Sequence, residues 1–279
     1  MHTDRFSIFD GIWNYNDFMS AEWIIPLLIG WTAGWLVNYL SDVLPLTRRL
    51  SEPVCLQCGA QFSLKEYLLF QRCANAHTRP FRAWLVQIAL MALSVYVYLI
   101  PLSLGYWAGV VLMIYLGVVF VIDMEHRLIL HPTSIAGSLI ALVLGTISRG
   151  LMPTLLGGFG GLVIMLIFYF FGVLFARMRA RRMRAQGMEV DDEEALGQGD
   201  VILVTILGFL VGWPLIWFLI LVSTLLGGIV SFFLVIGLLI SRRYNDNALM
   251  VFIPYGPYFI IGAALIVYFP GLLKALLPN

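Results

Sequence analysis

Long runs without a single charge constrain this chain more than any other feature. Charged residues are absent from Trp23 to Ser41, Ala83 to Ile122, Gly150 to Ala176 and Val201 to Ser241. A helix crosses a bilayer with about 20 apolar residues, so each run accommodates one span and the two longest accommodate two. Of the 279 residues 61% are apolar and only 12% charged, which excludes a water-soluble globular domain. The net charge of +1 leaves no electrostatic footprint for nucleic acid, and none is expected as a partner. Asp4, Arg5, Asp10 and Asp17 precede the first run, so no signal peptide is expected.

Dividing the runs at their helix breakers predicts an all-α polytopic membrane protein of eight spans, near 23–41, 83–101, 105–122, 132–148, 151–175, 201–219, 221–240 and 253–273. The cut between the sixth and seventh has two candidate positions, Gly212-Trp213-Pro214 and the neighbourhood of Ser223-Thr224. Basic loops stay cytoplasmic. With the N-terminus extracytoplasmic, every Lys and Arg except Arg5, Arg149 and Lys274 falls on the inner side, a bias that supports both the count and the orientation. The expected organisation is an N-terminus and first helix over 1–44, a cytoplasmic cysteine-containing subdomain over 45–82, and a seven-helix membrane domain over 83–279 with a cytoplasmic loop at 176–199. That loop begins basic, against anionic headgroups, and turns acidic from Glu189 to Glu194. Gly157-Gly-Phe-Gly-Gly161 lies inside a span and reads as close helix packing.

Three carboxylates stand apart because they fall at the cytoplasmic ends of spans: Asp42, Asp123 and Asp200. Asp123 closes an uncharged helix, and Gly197-Gln-Gly-Asp200 sets glycines before its aspartate. Two aspartates sharing a proton can hydrolyse a peptide, the ionised one taking a proton from water and the protonated one polarising the scissile carbonyl. Gly197 and Gly199, without side chains, would let an extended substrate backbone approach closely. Two other readings stay open: helix caps or interfacial residues, and a proton relay in a proton-coupled transporter. Both aspartates lie at one membrane face, whereas transporter sites tend toward the midplane.

These residues resemble the prepilin peptidases, or type IV leader peptidases, of the GxGD class of intramembrane aspartyl proteases. Gly30-Trp-Thr-Ala-Gly34 through Asn38 to Leu44-Pro45 is similar to the family's first span. Cys55-Leu-Gln-Cys58 and Arg72-Cys73 stand where the family carries a cytoplasmic four-cysteine element. Ile122-Asp123 with Leu130-His-Pro-Thr133 resembles the segment of the first catalytic aspartate, and Leu196-Gly-Gln-Gly-Asp200 that of the second. Ile253-Pro-Tyr-Gly-Pro-Tyr258 resembles the last-span Pro-Phe-Gly-Pro motif. The resemblance implies cleavage of the basic leader of type IV prepilins or pseudopilins at the cytoplasmic face of the bacterial inner membrane, with Asp123 and Asp200 as the dyad. The peptidase reaction needs no cofactor. Many members then methylate the new N-terminus with S-adenosylmethionine.

The departures carry expectations of their own. Ala76 stands where the fourth cysteine would be, with His77 beside it. Cys55, Cys58, Cys73 and His77 fit either a tetrahedral zinc site or a decayed one with free thiols. Arg79-Pro-Phe-Arg82-Ala-Trp-Leu-Val-Gln87 resembles the family's Arg-Tyr-Pro-Leu-Val-Glu with glutamine in place of the glutamate; if that glutamate serves methyl transfer, Gln87 cannot replace it, and S-adenosylmethionine is expected only if that activity persists. Asn38 and Asp42 read as packing or hydrogen-bonding residues at the mouth, and His126 and His131 as solvated interfacial histidines. The run Glu189, Asp191, Asp192, Glu193 and Glu194 reads either as a solvated linker whose charges offset the preceding arginines or as a means of drawing a basic leader toward Asp200.

Overall fold

The computed structural model describes residues 21–55, 57–185, 197–240 and 254–271. The acidic run from Glu189 to Glu194, Leu196, Arg242, Arg243, Ile253, Lys274 and the N-terminal charges lie outside the described residues. Within them the chain forms α1 (Ile24–Thr47), α2 (Leu64–Leu68), α3 (Phe81–Leu99), α4 (Tyr106–His126), α5 (His131–Arg149), α6 (Leu151–Ala185), α7 (Gln198–Val211), α8 (Leu215–Ile240) and α9 (Gly256–Tyr268). Among the described residues the β pairing is an isolated bridge between Val54 and Gln61. Helices α1, α3, α4, α5, α6 and α8 are long and apolar enough to cross a membrane, and α7 and α9 are shorter apolar helices. The protein is an all-α polytopic membrane protein.

Helix ends differ from the predicted spans because hydropathy marks where a helix is apolar, not where its backbone stops. α1 runs past Ser41 to Thr47 and α4 past Ile122 to His126, each continuing into polar residues. α6 continues through the basic stretch to Ala185, so the first part of the expected 176–199 loop is helical.

The sixth and seventh spans require a correction. The chain breaks at Gly212-Trp213-Pro214, giving α7 an end at Val211 and α8 a start at Leu215, not 219 and 221. Both flanks are uniformly apolar, so only backbone chemistry could mark the break. Gly212 takes a φ of 70°, which an L side chain resists, and its N–H donates to Gly208 O at 2.8 Å. Trp213 N–H leaves the helix ladder and donates to Pro153 O at 2.8 Å.

α7 is the central element. Its 14 residues reach about 21 Å at 1.5 Å per residue, short of a hydrocarbon core of about 30 Å. It packs against α5, α6, α8 and α9, and Leu203, Val204, Leu207 and Val211 are fully buried. The α6–α7 contact is made through backbone: a Cβ at Gly157 would strike Gly208 O, and one at Gly208 would lie 3.0 Å from Gly158 Cα. The glycine run thus serves close packing, which dispersion rewards where lipid removes the hydrophobic drive.

On the other side α1 lies along α3 and α4. Gly30 meets the backbone of Leu90 and Met91, Gly34 meets the Gln87 side chain, and Asn38 Nδ2 donates to Ala83 O at 3.0 Å. α9 ties the two sides together, since Tyr268 donates through its hydroxyl to Gly109 O at 2.8 Å and accepts at its carbonyl from Tyr96 Oη at 3.0 Å.

Candidate active site

α4 ends where Arg127 turns into the left-handed region with a φ of 53°, its N–H donating to Asp123 O at 2.9 Å. Pro132 within the first turn then starts α5, with the Thr133 and Ser134 hydroxyls donating to Leu130 O at 2.8 and 3.0 Å. This places Asp123 in the last turn of α4, buried, with Oδ2 sealed from solvent and without a hydrogen-bond partner among the described residues. A buried polar atom without a partner carries the whole cost of its lost hydration, so it marks either strain or function.

Asp200 occupies the first turn of α7, half-buried, its N–H donating to Gly197 O at 3.1 Å. The Asp123 carboxylate is close enough for its charge to act on Asp200. The two sequence-predicted aspartates are thus brought together by one helix ending and another beginning.

α9 supplies what the sequence reading had not assigned. A Cβ at Gly256 would strike Asp123 Oδ2 and would lie 3.4 Å from Leu203 Cδ2 on α7. The glycine of the Pro-Tyr-Gly-Pro motif therefore makes room for the carboxylate, and the residue pair flanking it was the available signal. Gly197 and Gly199 differ. A Cβ at Gly197 would make ordinary contacts, with Asp200 Oδ2 at 3.7 Å and Gly199 N at 3.9 Å, whereas one at Gly199 would press on the Ile129 side chain at 3.2 Å. His126 is half-buried and His131 exposed.

Asp42 is surrounded by donors. Tyr67 Oη donates to Oδ2 at 2.5 Å, Arg82 Nη2 donates to Oδ1, and Arg79 Nη1 lies 3.6 Å from Oδ2. Arg82 Nε is 2.9 Å from Glu125 Oε1, two residues beyond Asp123, and the Arg79 guanidinium lies 3.7 Å above the Tyr67 ring. Burial first, and then the Asp42 charge, push the Tyr67 hydroxyl well above the usual tyrosine range, so it stays a proton donor. These partners come from three helices and a loop, separated by up to 83 positions between Asp42 and Glu125, and no local spacing announces them.

In the loop between α1 and α3, Cys55, Cys58, Cys73 and His77 place one donor atom each within 4.8 Å of one another. Cys58 Sγ is 3.7 Å from Cys73 Sγ, and His77 Nδ1 is 3.4 Å from Cys73 Sγ and 4.0 Å from Cys55 Sγ. The Ala60 backbone N–H above all holds the Cys58 thiol down to about 6, while burial pushes that of Cys73 up. Cys55 and Cys73 share a small core with Phe62 and Tyr67, so the cluster abuts the Asp42 network.

Residues 110–232, a stretch that holds Asp123, Gly197, Gly199 and Asp200, match the model of the type IV leader peptidase family. That match supports a peptidase role, and the apolar helices support a multi-pass membrane location. No curated protein and no solved structure matches the chain.

Proposed function

We propose that this protein is an aspartyl endopeptidase that removes the basic leader of type IV prepilins or pseudopilins at the cytoplasmic face of the bacterial inner membrane. The observation that carries the reading is the buried, unpartnered Asp123 oxygen beside Asp200, within the stretch that matches the family. In the chemistry, the ionised carboxylate takes a proton from water while the protonated one donates to the scissile carbonyl oxygen. The water oxygen bonds to the carbonyl carbon. Collapse of the tetrahedral species breaks the C–N bond, and the departing nitrogen takes a proton from the dyad. Gly197, whose missing side chain would lie 3.7 Å from Asp200 Oδ2, lets a substrate backbone approach that carboxylate. The match of this stretch to a peptidase family favours hydrolysis over the proton relay of a transporter.

Purified protein in detergent, mixed with a prepilin carrying a basic leader and an apolar helix, is expected to release the leader. An intact prepilin after prolonged incubation with folded protein refutes the proposal.

The loop cluster suits zinc. Four tetrahedral ligands about 2.3 Å from a metal lie about 3.8 Å apart, and the Cys58–Cys73 separation of 3.7 Å agrees. Cys55, Cys58, Cys73 and His77 would hold the ion, which would supply folding energy to the loop and no step of hydrolysis. Elemental analysis is expected to find about one zinc per chain, lost in Cys55→Ser; metal-free, ordered protein refutes it. Methyl transfer is not part of the proposal. Gln87 is buried, and its Nε2 donates to Trp31 O at 2.6 Å, which an ionised glutamate could not do.

A further inference from the structure

Every cluster near Asp42 faces inward, yet the opposite side of the same loop is apolar and uncovered among the described residues. α2 and the turn after it present Tyr67 to the interior and Leu68 and Leu69 outward, Leu69 being 67% exposed. Phe70 turns back with a φ of 54° and lays its ring against two membrane-spanning helices, 4.6 Å from Trp84 of α3 and 5.9 Å from Trp31 of α1 between ring centroids. This tip is therefore seated on the flank of the bundle and not held above it.

The flank it joins is an exposed apolar stripe. Phe81, Trp84, Leu85 and Ile88 recur at three- and four-residue intervals along one face of α3 and are all exposed, Phe81 at 75%. Leu69 and Phe70 extend that stripe without interruption from a helix that crosses the membrane to a loop that does not. At its edges the sequence turns basic: Lys65 and Arg72 bracket the tip, both exposed. The only acidic residue of α2, Glu66, is engaged in its capping box with Ser63. Apolar and aromatic side chains bracketed by lysine and arginine match the boundary between acyl chains and anionic headgroups.

We propose that the Leu68–Phe70 tip, with Phe81 and Trp84, is inserted into the headgroup–acyl boundary of the leaflet on its side of the membrane, with Lys65 and Arg72 at the level of anionic phosphates. The loop is then a monotopic element, braced by lipid on its outer side and by the Tyr67–Asp42 bond on its inner side. The inference rests on the membrane-spanning class of the fold and not on the peptidase reading, so its test stands whether or not the protein cleaves a prepilin.

The test places a ketone-bearing amino acid at Leu69, and separately at exposed Asn75, for attachment of a nitroxide, which leaves the native thiols untouched. Full-length protein in vesicles of phosphatidylcholine and phosphatidylglycerol is then measured by power saturation. The Leu69 label is expected to be relaxed several-fold more by oxygen than by a water-soluble nickel chelate, and the Asn75 label the reverse. Equal nickel accessibility at the two positions overturns the proposal, as does dipolar broadening at Leu69 that shows a second copy covering the face. Lys65→Glu with Arg72→Glu, both on exposed positions, is expected to make the Leu69 label shallower in anionic vesicles only. An unchanged depth overturns the headgroup part.

Discussion

Asp42 and Asp123 each occupy the final turns of a membrane helix and are almost equally buried, with 9% and 5% of their surfaces exposed, yet their surroundings are opposites. Around Asp42 stand a phenol and two guanidinium groups, whereas at Asp123 one carboxylate oxygen is buried against a glycine with no hydrogen-bond partner among the described residues. A carboxylate whose oxygens are engaged by fixed donors is held in place, a poor partner for a proton in transit. One that is buried without donors has its hydration removed and not replaced, which leaves it free to exchange a proton with substrate or water. Burial alone does not separate structure from chemistry; the partners do.

The most direct way to break this comparison is to replace each aspartate by asparagine. Asp123→Asn and Asp200→Asn are expected to lower leader cleavage by at least about 10²-fold, toward the limit of detection, with expression and insertion kept. Their double variant should be no worse than either single one, since the pair acts as a unit. Asp42→Asn is expected to unfold at lower temperature while its folded fraction cleaves near the native rate. An inactive, stably folded Asp42→Asn would move Asp42 into the chemistry.

Next in size is Gly256→Ala. The added methyl meets Asp123 Oδ2, and a helix backbone cannot retreat from it, so the carboxylate must rotate or shift. Displacing a reacting group by about 1 Å can cost about 10²-fold in rate. The expected outcome is a fall in kcat of that order with little change in KM. Native kcat in this variant would show that the carboxylate can work from another position.

Arg82→Gln sharpens the other half of the comparison. It removes a partner from Asp42 and from Glu125 together, leaving buried charge uncompensated, which costs on the order of 3 kcal/mol. Part of Arg82 and Glu125 is reached by solvent, so the loss should fall below that figure. Thermal unfolding of Arg82→Gln, Glu125→Gln and the pair should show non-additivity, because the two side chains share one interaction. Additive losses would show that the Arg82–Glu125 contact contributes nothing.

These contrasts explain how much of the molecule was legible in its sequence. The helices were, because their apolar runs contrast with the loops. The α7–α8 junction was not, because Gly212 and Pro214 sit between two stretches equally apolar and the Ser223-Thr224 neighbourhood offered an equal signal. The candidate dyad stood out since a charge at the end of an uncharged helix is conspicuous, and Cys55, Cys58, Cys73 and His77 through their local spacing. The Asp42 network could not be read: Tyr67, Arg79, Arg82 and Glu125 are ordinary loop and helix-end residues until the fold joins them. The sequence reading of Asp42 as a packing residue nevertheless agrees with what surrounds it. Gly256 lay within a noticed motif, but its purpose depends on which carboxylate faces it.

The smallest expected effect concerns Gly197 and Gly199, to which the sequence reading gave one role and the structure gives two environments. At Gly199 a methyl would meet the Ile129 side chain at 3.2 Å, tighter than ordinary contact, but Ile129 is only half-buried and can give way. Overpacking of that kind costs about 1 kcal/mol in stability and does not touch the carboxylates. At Gly197 a methyl would make only ordinary contacts, with Asp200 Oδ2 at 3.7 Å and Gly199 N at 3.9 Å, so the fold should be indifferent to it. It would, however, occupy the space in which an extended peptide is proposed to lie. Gly197→Ala is therefore expected to raise KM several-fold at unchanged melting temperature, and Gly199→Ala to lower the melting temperature slightly at unchanged KM. Michaelis analysis and thermal unfolding of the two variants decide it, and a KM effect at Gly199 with none at Gly197 would place the substrate on the Ile129 side of α7.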